Sequence, residues 1–161
     1  MPGLYTVSAA GRVAASGAPD LDGIPASGTR VALQEPGVVE LKDGRLMMFC
    51  RTHTGYIYRS FSSDGGDTWS PAVRYPGLFA PISAAAIERI PKTGDLMMVW
   101  NDHTGIATAA TSPYKGKRTP YNVAISRDEG ETWENVKTLE DDPNGWYCYT
   151  AIHFVDRAVL L

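Results

Sequence analysis

One octapeptide occurs twice in this chain. Ser62-Ser63-Asp64-Gly65-Gly66-Asp67-Thr68-Trp69 returns as Ser126-Arg127-Asp128-Glu129-Gly130-Glu131-Thr132-Trp133, at an offset of 64. A second pair precedes it. Gly44-Arg45-Leu46-Met47-Met48-Phe49 returns as Gly94-Asp95-Leu96-Met97-Met98-Val99, and His53-Thr54-Gly55 as His103-Thr104-Gly105, both at an offset of 50. The second copy therefore carries 14 extra residues, within Ile106 to Thr119. Repetition of this kind means that one supersecondary unit is used again, and it limits the fold more than any bulk property does.

Within each copy the pattern is that of strands. Val38 to Leu41, Leu46 to Arg51, Tyr56 to Phe61 and Ala72 to Tyr75 are short, rich in β-branched or aromatic residues, and separated by turn residues. The second copy gives Ala84 to Ile90, Leu96 to Trp100, Tyr121 to Ile125 and Val136 to Leu139. Lys42-Asp43-Gly44 and Pro91-Lys92-Thr93-Gly94 read as hairpin turns. A third copy is expected to open with a strand over Tyr147 to Phe154, turn at Asp156-Arg157, and stop inside the next strand. No stretch has helical periodicity.

Four antiparallel strands per repeat, joined by short connections, describe a blade of a β-propeller. The expected fold class is all-β: a blade over 34–76, a second over 82–140 and an incomplete third over 146–161, preceded by an irregular segment over 1–30. About two and a half blades do not close a ring, which typically needs four to eight. A truncated frame is the first expectation, and self-association through open blade edges the second.

Bulk properties exclude little else. The chain has 161 residues, a formal net charge of −3 and 43% hydrophobic residues. Its cations are scattered, so no nucleic-acid footprint is expected. The cluster Lys115 to Arg118 reads as a solvated loop. No apolar run approaches the roughly 20 residues that span a bilayer, so no membrane partner is expected. The first residues lack a basic start followed by an apolar core, hence no secretory leader is expected and the cytoplasm is the default compartment. Cys50 and Cys148, both in strand-like stretches, read as buried free thiols.

The octapeptide has a physical logic. It falls on the turn between the third and fourth strands of a blade. Asp64 and Asp128 can accept backbone N–H bonds inside the turn, and Ser62 and Ser126 open it. Gly66 and Gly130 can take positive φ, and Trp69 and Trp133 can pack under neighbouring strands. These residues resemble the Asp box, or bacterial neuraminidase repeat, of the sialidase superfamily. Glu35 to Leu46 is similar to that superfamily's opening blade, and Leu139 to Ile152 to the entry of a later one; the similarity covers roughly residues 34 to 161.

The resemblance implies a six-bladed sialidase-like propeller and a glycan substrate with a terminal sialic acid or related acidic sugar. No cofactor is expected, and no metal either, since the two histidines belong to different blades and no spacing signature supports a metal site. In such relatives an arginine cluster holds the substrate carboxylate, a tyrosine activated by a glutamate attacks the anomeric carbon, and an aspartate is the general acid/base. The same superfamily uses its Asp boxes structurally. Topology gives the reason: with the first strand descending from the active face, the turn between third and fourth strands lies on the opposite face.

Candidate chemistry therefore belongs at starts of first strands and ends of second strands. Glu35, Arg51 and Asp102 are the catalytic candidates; His53, His103 and Tyr149 are the substrate-binding candidates. Each also has a structural reading: a strand-end ion pair for Arg51, a cap for Glu35, a repeated blade position for the two histidines. Trp100 reads as blade packing. The chain departs from the superfamily's pattern where Gln34-Glu35-Pro36 replaces an Arg-Ile-Pro motif, and the loop Thr52 to Tyr56 carries no acid. These departures favour an alternative: a non-catalytic Asp-box module binding carbohydrate or protein.

Overall fold

The computed structural model describes residues 31–106 and 116–161. The irregular segment expected over 1–30 and most of the expected insertion, including Lys115, lie outside them. The described residues hold ten strands in order: β1 (Gln34–Glu40), β2 (Leu46–Arg51), β3 (Tyr56–Ser62), β4 (Val73–Phe79), β5 (Ala86–Arg89), β6 (Leu96–Trp100), β7 (Tyr121–Ser126), β8 (Glu134–Glu140), β9 (His153–Val155) and β10 (Ala158–Leu160). Among the described residues there is no helix.

The strands make two four-stranded antiparallel sheets, β1-β2-β3-β4 and β5-β6-β7-β8, and a hairpin, β9-β10. Each neighbour in space is the neighbour in sequence, as in a propeller blade. The chain is all-β, and its partial propeller does not close. β2 and β6 are the apolar strands of the repeated Leu-Met-Met motif. They lie second in their sheets with both faces covered, so they read as continuous apolar runs and not as alternating ones. β8 is exposed along its whole length, as the outermost strand of its sheet.

One core joins the two blades. Met47, Phe49, Ile57, Tyr75 and Leu78 of the first pack in one cluster with Ile87, Leu96, Met98, Trp100 and Ala124 of the second. Burial of each such large side chain contributes about 1.5–3 kcal/mol. Trp100 is in this cluster, as expected of a packing residue. β1 lies beside β5, so the first strands of the two blades are neighbours.

Several boundaries differ from the sequence expectation, β8 among them, which runs over Glu134–Glu140. β1 starts earlier, at Gln34, because the chain bulges between Gln34 and Gly37 and pairing resumes beyond the bulge. β4 runs on through Pro76 and Gly77 to Phe79; an edge strand tolerates proline because its outward N–H needs no partner. β5 is shorter, Ala86–Arg89. The third copy's strand does not begin at Tyr147: Tyr149 has φ 58°, off the extended region, and pairing starts only at His153. The turn at Asp156 and Arg157 is present. Cys50 is buried in β2, where burial pushes its thiol up to about 11. Cys148 is free but only half-buried, and it lies outside any strand.

Candidate functional site

Register fixes the two ends of each blade. Gln34 pairs with Arg51, so the start of β1 and the end of β2 share one end of the first sheet. Leu46 pairs with Ser62, so the Asp box that follows β3 leaves from the other end. The second blade repeats this, with Leu96 opposite Ser126.

The Asp boxes close their turns with local bonds. Asp64 accepts the Thr68 hydroxyl at 2.5 Å and the Thr68 N–H at 2.9 Å, and Ser62 donates to Asp64 at 2.7 Å. Ser62 Oγ in turn accepts the Gly66 N–H at 2.9 Å. Asp128 repeats the set: the Thr132 hydroxyl at 2.6 Å, the Thr132 N–H at 2.8 Å and Ser126 at 2.8 Å. The threonine bonds come first in holding both carboxyls down to about 2. Gly66 and Gly130 stand at φ 101° and 87°. Trp69 donates its indole N–H to Gly66 O at 3.0 Å, and Trp133 packs on Tyr75 of the first blade.

The same end holds a seam between blades. Arg89 donates to both oxygens of Glu129, at 2.9 and 2.7 Å, and Lys42 reaches Glu129 with its backbone N–H at 2.7 Å and its ammonium at 3.2 Å. The Arg89 bonds are the main reason Glu129 is held down to about 2. Arg59 pairs with Glu131 at 3.0 Å. Sequence reasoning missed Glu129, because the first box has Gly65 at that position and no motif marks it.

At the opposite end three of the six candidates meet. Tyr149 donates its hydroxyl to Glu35 Oε1 at 2.8 Å. Arg51 Nη2 lies 3.0 Å from that same oxygen, and Arg51 Nη1 donates to the Tyr149 oxygen at 3.3 Å. Gln34 accepts from Arg51 Nε at 3.3 Å. Glu35 and Tyr149 both carry positive φ, 52° and 58°. Left-handed backbone in non-glycine residues costs on the order of 1–3 kcal/mol each and clusters at functional sites. Here two such residues touch each other.

Glu35 and Tyr149 line a cleft of ≈ 450 Å³ that continues between β1 and β5 to Glu88. The Phe49 ring forms part of it and fills the space beside Gly37 where any side chain would stand. Burial raises the Glu88 carboxyl above its usual value.

His53 and His103 share a second cleft, of ≈ 590 Å³, with Ile82, Arg118 and Trp146. His103 is buried, its Nε2 is 3.1 Å from Thr119 O, and burial lowers its pKa. His53 is exposed. Asp102 lines neither cleft: its Oδ1 accepts the Thr104 N–H at 2.9 Å and hydroxyl at 2.6 Å, capping a turn.

The solvated loop expected at Lys115 to Arg118 is not what the structure has at its described end. Lys117 donates to Pro143 O at 2.6 Å, and Arg118 lies over the rings of Trp146 and Tyr149, at 5.2 and 5.4 Å. A weakly hydrated guanidinium gains more on aromatic faces than in water-filled loops. Arg118, Trp146 and Glu88 went unrecognised in the sequence; the exposed aromatic Trp146 beside Tyr147 and Tyr149 was the available signal. Among the described residues no three His, Cys, Asp or Glu side chains could together hold a metal ion.

Comparison with known proteins gives a consistent picture. The family described as "BNR repeat-like domain" matches residues 6–158. No curated protein sequence matches the chain. Among solved structures, the NanB sialidase from Streptococcus pneumoniae aligns with a TM-score of 0.55 and 22% identity, over 74% of this chain and 18% of that one. The leech intramolecular trans-sialidase complexed with 2,7-anhydro-Neu5Ac aligns with a TM-score of 0.54 and 23% identity, over 73% and 18%. The intramolecular trans-sialidase from Ruminococcus gnavus gives 0.53 and 19%, over 80% and 26%. The likeness is one of fold, and the chain spans only 18–26% of these structures.

Proposed function

The chain belongs to the BNR repeat-like domain family, and from that premise we propose that its loop end is the sugar-binding face of a sialidase-like glycoside hydrolase acting on a terminal acidic sugar. The observation that carries this reading is the 2.8 Å hydrogen bond from Tyr149 to Glu35, with Arg51 against both. A tyrosine paired with a glutamate is the nucleophile suited to a sugar whose own carboxylate repels a carboxylate nucleophile.

In this scheme Tyr149 Oη attacks the anomeric carbon while its proton passes to Glu35. Arg51, released from the charge of Glu35 by that proton, turns its field to the phenolic oxygen and the substrate carboxylate. The glycosidic C–O bond breaks, and the departing oxygen takes a proton from water. The hydroxide left by that transfer then attacks the anomeric carbon, and Tyr149 departs, recovering its proton from Glu35.

A fluorogenic sialoside tests the reading on the full chain. Turnover that is lost in both Glu35→Gln and Tyr149→Phe supports it. Glycan binding without turnover in the unaltered chain sinks it and leaves the second reading, a glycan-binding module. One observation favours that second reading: the charge of Arg51 is already matched by Glu35, so a substrate carboxylate must compete for it.

A further inference from the structure

The second cleft holds a cation that has no anion among the described residues. Arg118 is half-buried, and among the described residues no carboxylate pairs with it. Its guanidinium donates to the Cys148 thiol at 2.9 Å and is otherwise fixed by two rings, Trp146 and Tyr149. Partly desolvated cations are ordinarily paired, because leaving one without a counter-charge is costly. Arg51, Arg59 and Arg89, by contrast, each have a carboxylate within 3.0 Å. Arg118 is therefore oriented by its surroundings and not neutralised by them.

What surrounds it has the makings of a sugar site. Trp146 is 64% exposed and Ile82 is 49% exposed, both on the wall of the same ≈ 590 Å³ cleft. An exposed indole offers a flat apolar face to the apolar face of a pyranose, and His53 and His103 line the same cleft. Tyr149 joins the two clefts, since one face of its environment is Arg118 and its hydroxyl belongs to Glu35.

We propose that the second cleft is a subsite for an anionic pyranose unit, distinct from the reacting sugar, with Trp146 as the stacking platform and Arg118 as the charge partner of a ring carboxylate or sulfate. This rests on the reading that the loop end receives a glycan. It adds that the glycan carries a second negative charge, on the sugar next to the one cleaved. A guanidinium can meet either anion with two parallel N–H bonds. Charge-assisted hydrogen bonds contribute about 1.5–3 kcal/mol, which corresponds to roughly tenfold to hundredfold in affinity.

The test is a titration of the full chain, followed by the NMR signal of the Trp146 indole N–H. The probes are methyl glucuronide, methyl glucoside 6-sulfate and neutral methyl glucoside. Either anionic glycoside is expected to shift that signal with at least tenfold higher affinity than the neutral one, and whichever anion does so identifies the group. Arg118→Gln is expected to bring all three to the neutral level, and Trp146→Ala to weaken all three together. If Arg118→Gln does not fold, Arg118→Lys replaces it and is expected to retain only part of the preference, since a point charge lacks the fork. Equal binding of neutral and anionic probes, a preference that survives in a folded Arg118→Gln, or no response at Trp146 overturns the proposal. The two readings fail separately: anion-selective binding without sialoside turnover defeats the hydrolase alone, and turnover without it defeats the subsite alone.

Discussion

The hydroxyl of Tyr75, in the last strand of the first blade, donates to the carbonyl oxygen of Gly130, in the Asp box of the second, at 2.6 Å and out of contact with water. Burial and the surrounding packing raise that hydroxyl to about 12, so it is a donor throughout the working pH range. The bond ties a turn that is closed by its own side chains to a strand of the neighbouring sheet.

Removing the donor measures that tie. Tyr75→Phe keeps the ring and its contact with Trp133 but strips a buried bond, and about 1–2 kcal/mol of stability should go with it. Gly130→Ala should cost more. The residue sits at φ 87°, and a methyl group there runs into the Tyr75 hydroxyl and lies 3.3 Å from the end of Met47. Urea unfolding followed by circular dichroism reads both; an unchanged midpoint in Tyr75→Phe contradicts the assignment.

Acid should loosen the seam before it reaches the core. Glu129 is held down to about 2 from its ordinary 4.5, and Asp64 and Asp128 to about 2 from 3.8. A carboxyl with a lower pKa when folded contributes stability that is complete above its unfolded value and disappears as pH falls through the folded one. Melting temperature should therefore fall progressively from about pH 5 to pH 2. Glu129→Gln should flatten that dependence and lower stability at pH 7, since Arg89 and Lys42 lose their common partner.

Kinetics should separate the residues of the first cleft. Glu35→Gln should reduce sialoside turnover by about 10²–10⁴-fold, the usual worth of a positioned acid–base group, and Tyr149→Phe by at least as much. Retention of full activity in Tyr149→Phe excludes it as nucleophile.

The parts of this molecule that were legible in the sequence are those whose interactions are local. The bonds that close an Asp box join residues two to four apart, so the octapeptide displays its own structure. The topology that follows from four short strands then located the loop end, and with it Glu35, Arg51 and Tyr149. That Tyr149 would meet Glu35 was not legible, because 114 residues separate them and both take a backbone conformation that apolar patterning does not encode. The same conformation at Tyr149 ended the strand expected over Tyr147 to Phe154. Arg118 and Glu129 escaped for a related reason: the partners of one are ring faces, and those of the other are Arg89, on the first strand of its own blade, and Lys42, on the preceding blade, so neither leaves a spacing to count. Asp102, chosen because it differs from Thr52 at the matching position, is engaged by the local Thr104 turn.

The seam at the Asp-box end also bears on how the fold comes apart. Lys42, Glu129, Arg59, Glu131, Tyr75 and Gly130, and Arg89 through its bond to Glu40 O, each lose a partner if only one blade opens. In an array where each unit leans on the next, such terms set how far disorder spreads from one unit to its neighbour. Large nearest-neighbour coupling makes the pair, and not the blade, the unit that melts. Amide hydrogens of β2 and β6 should exchange at a shared slow rate, while those of the β9–β10 hairpin, exposed along most of its length, exchange on their own and faster.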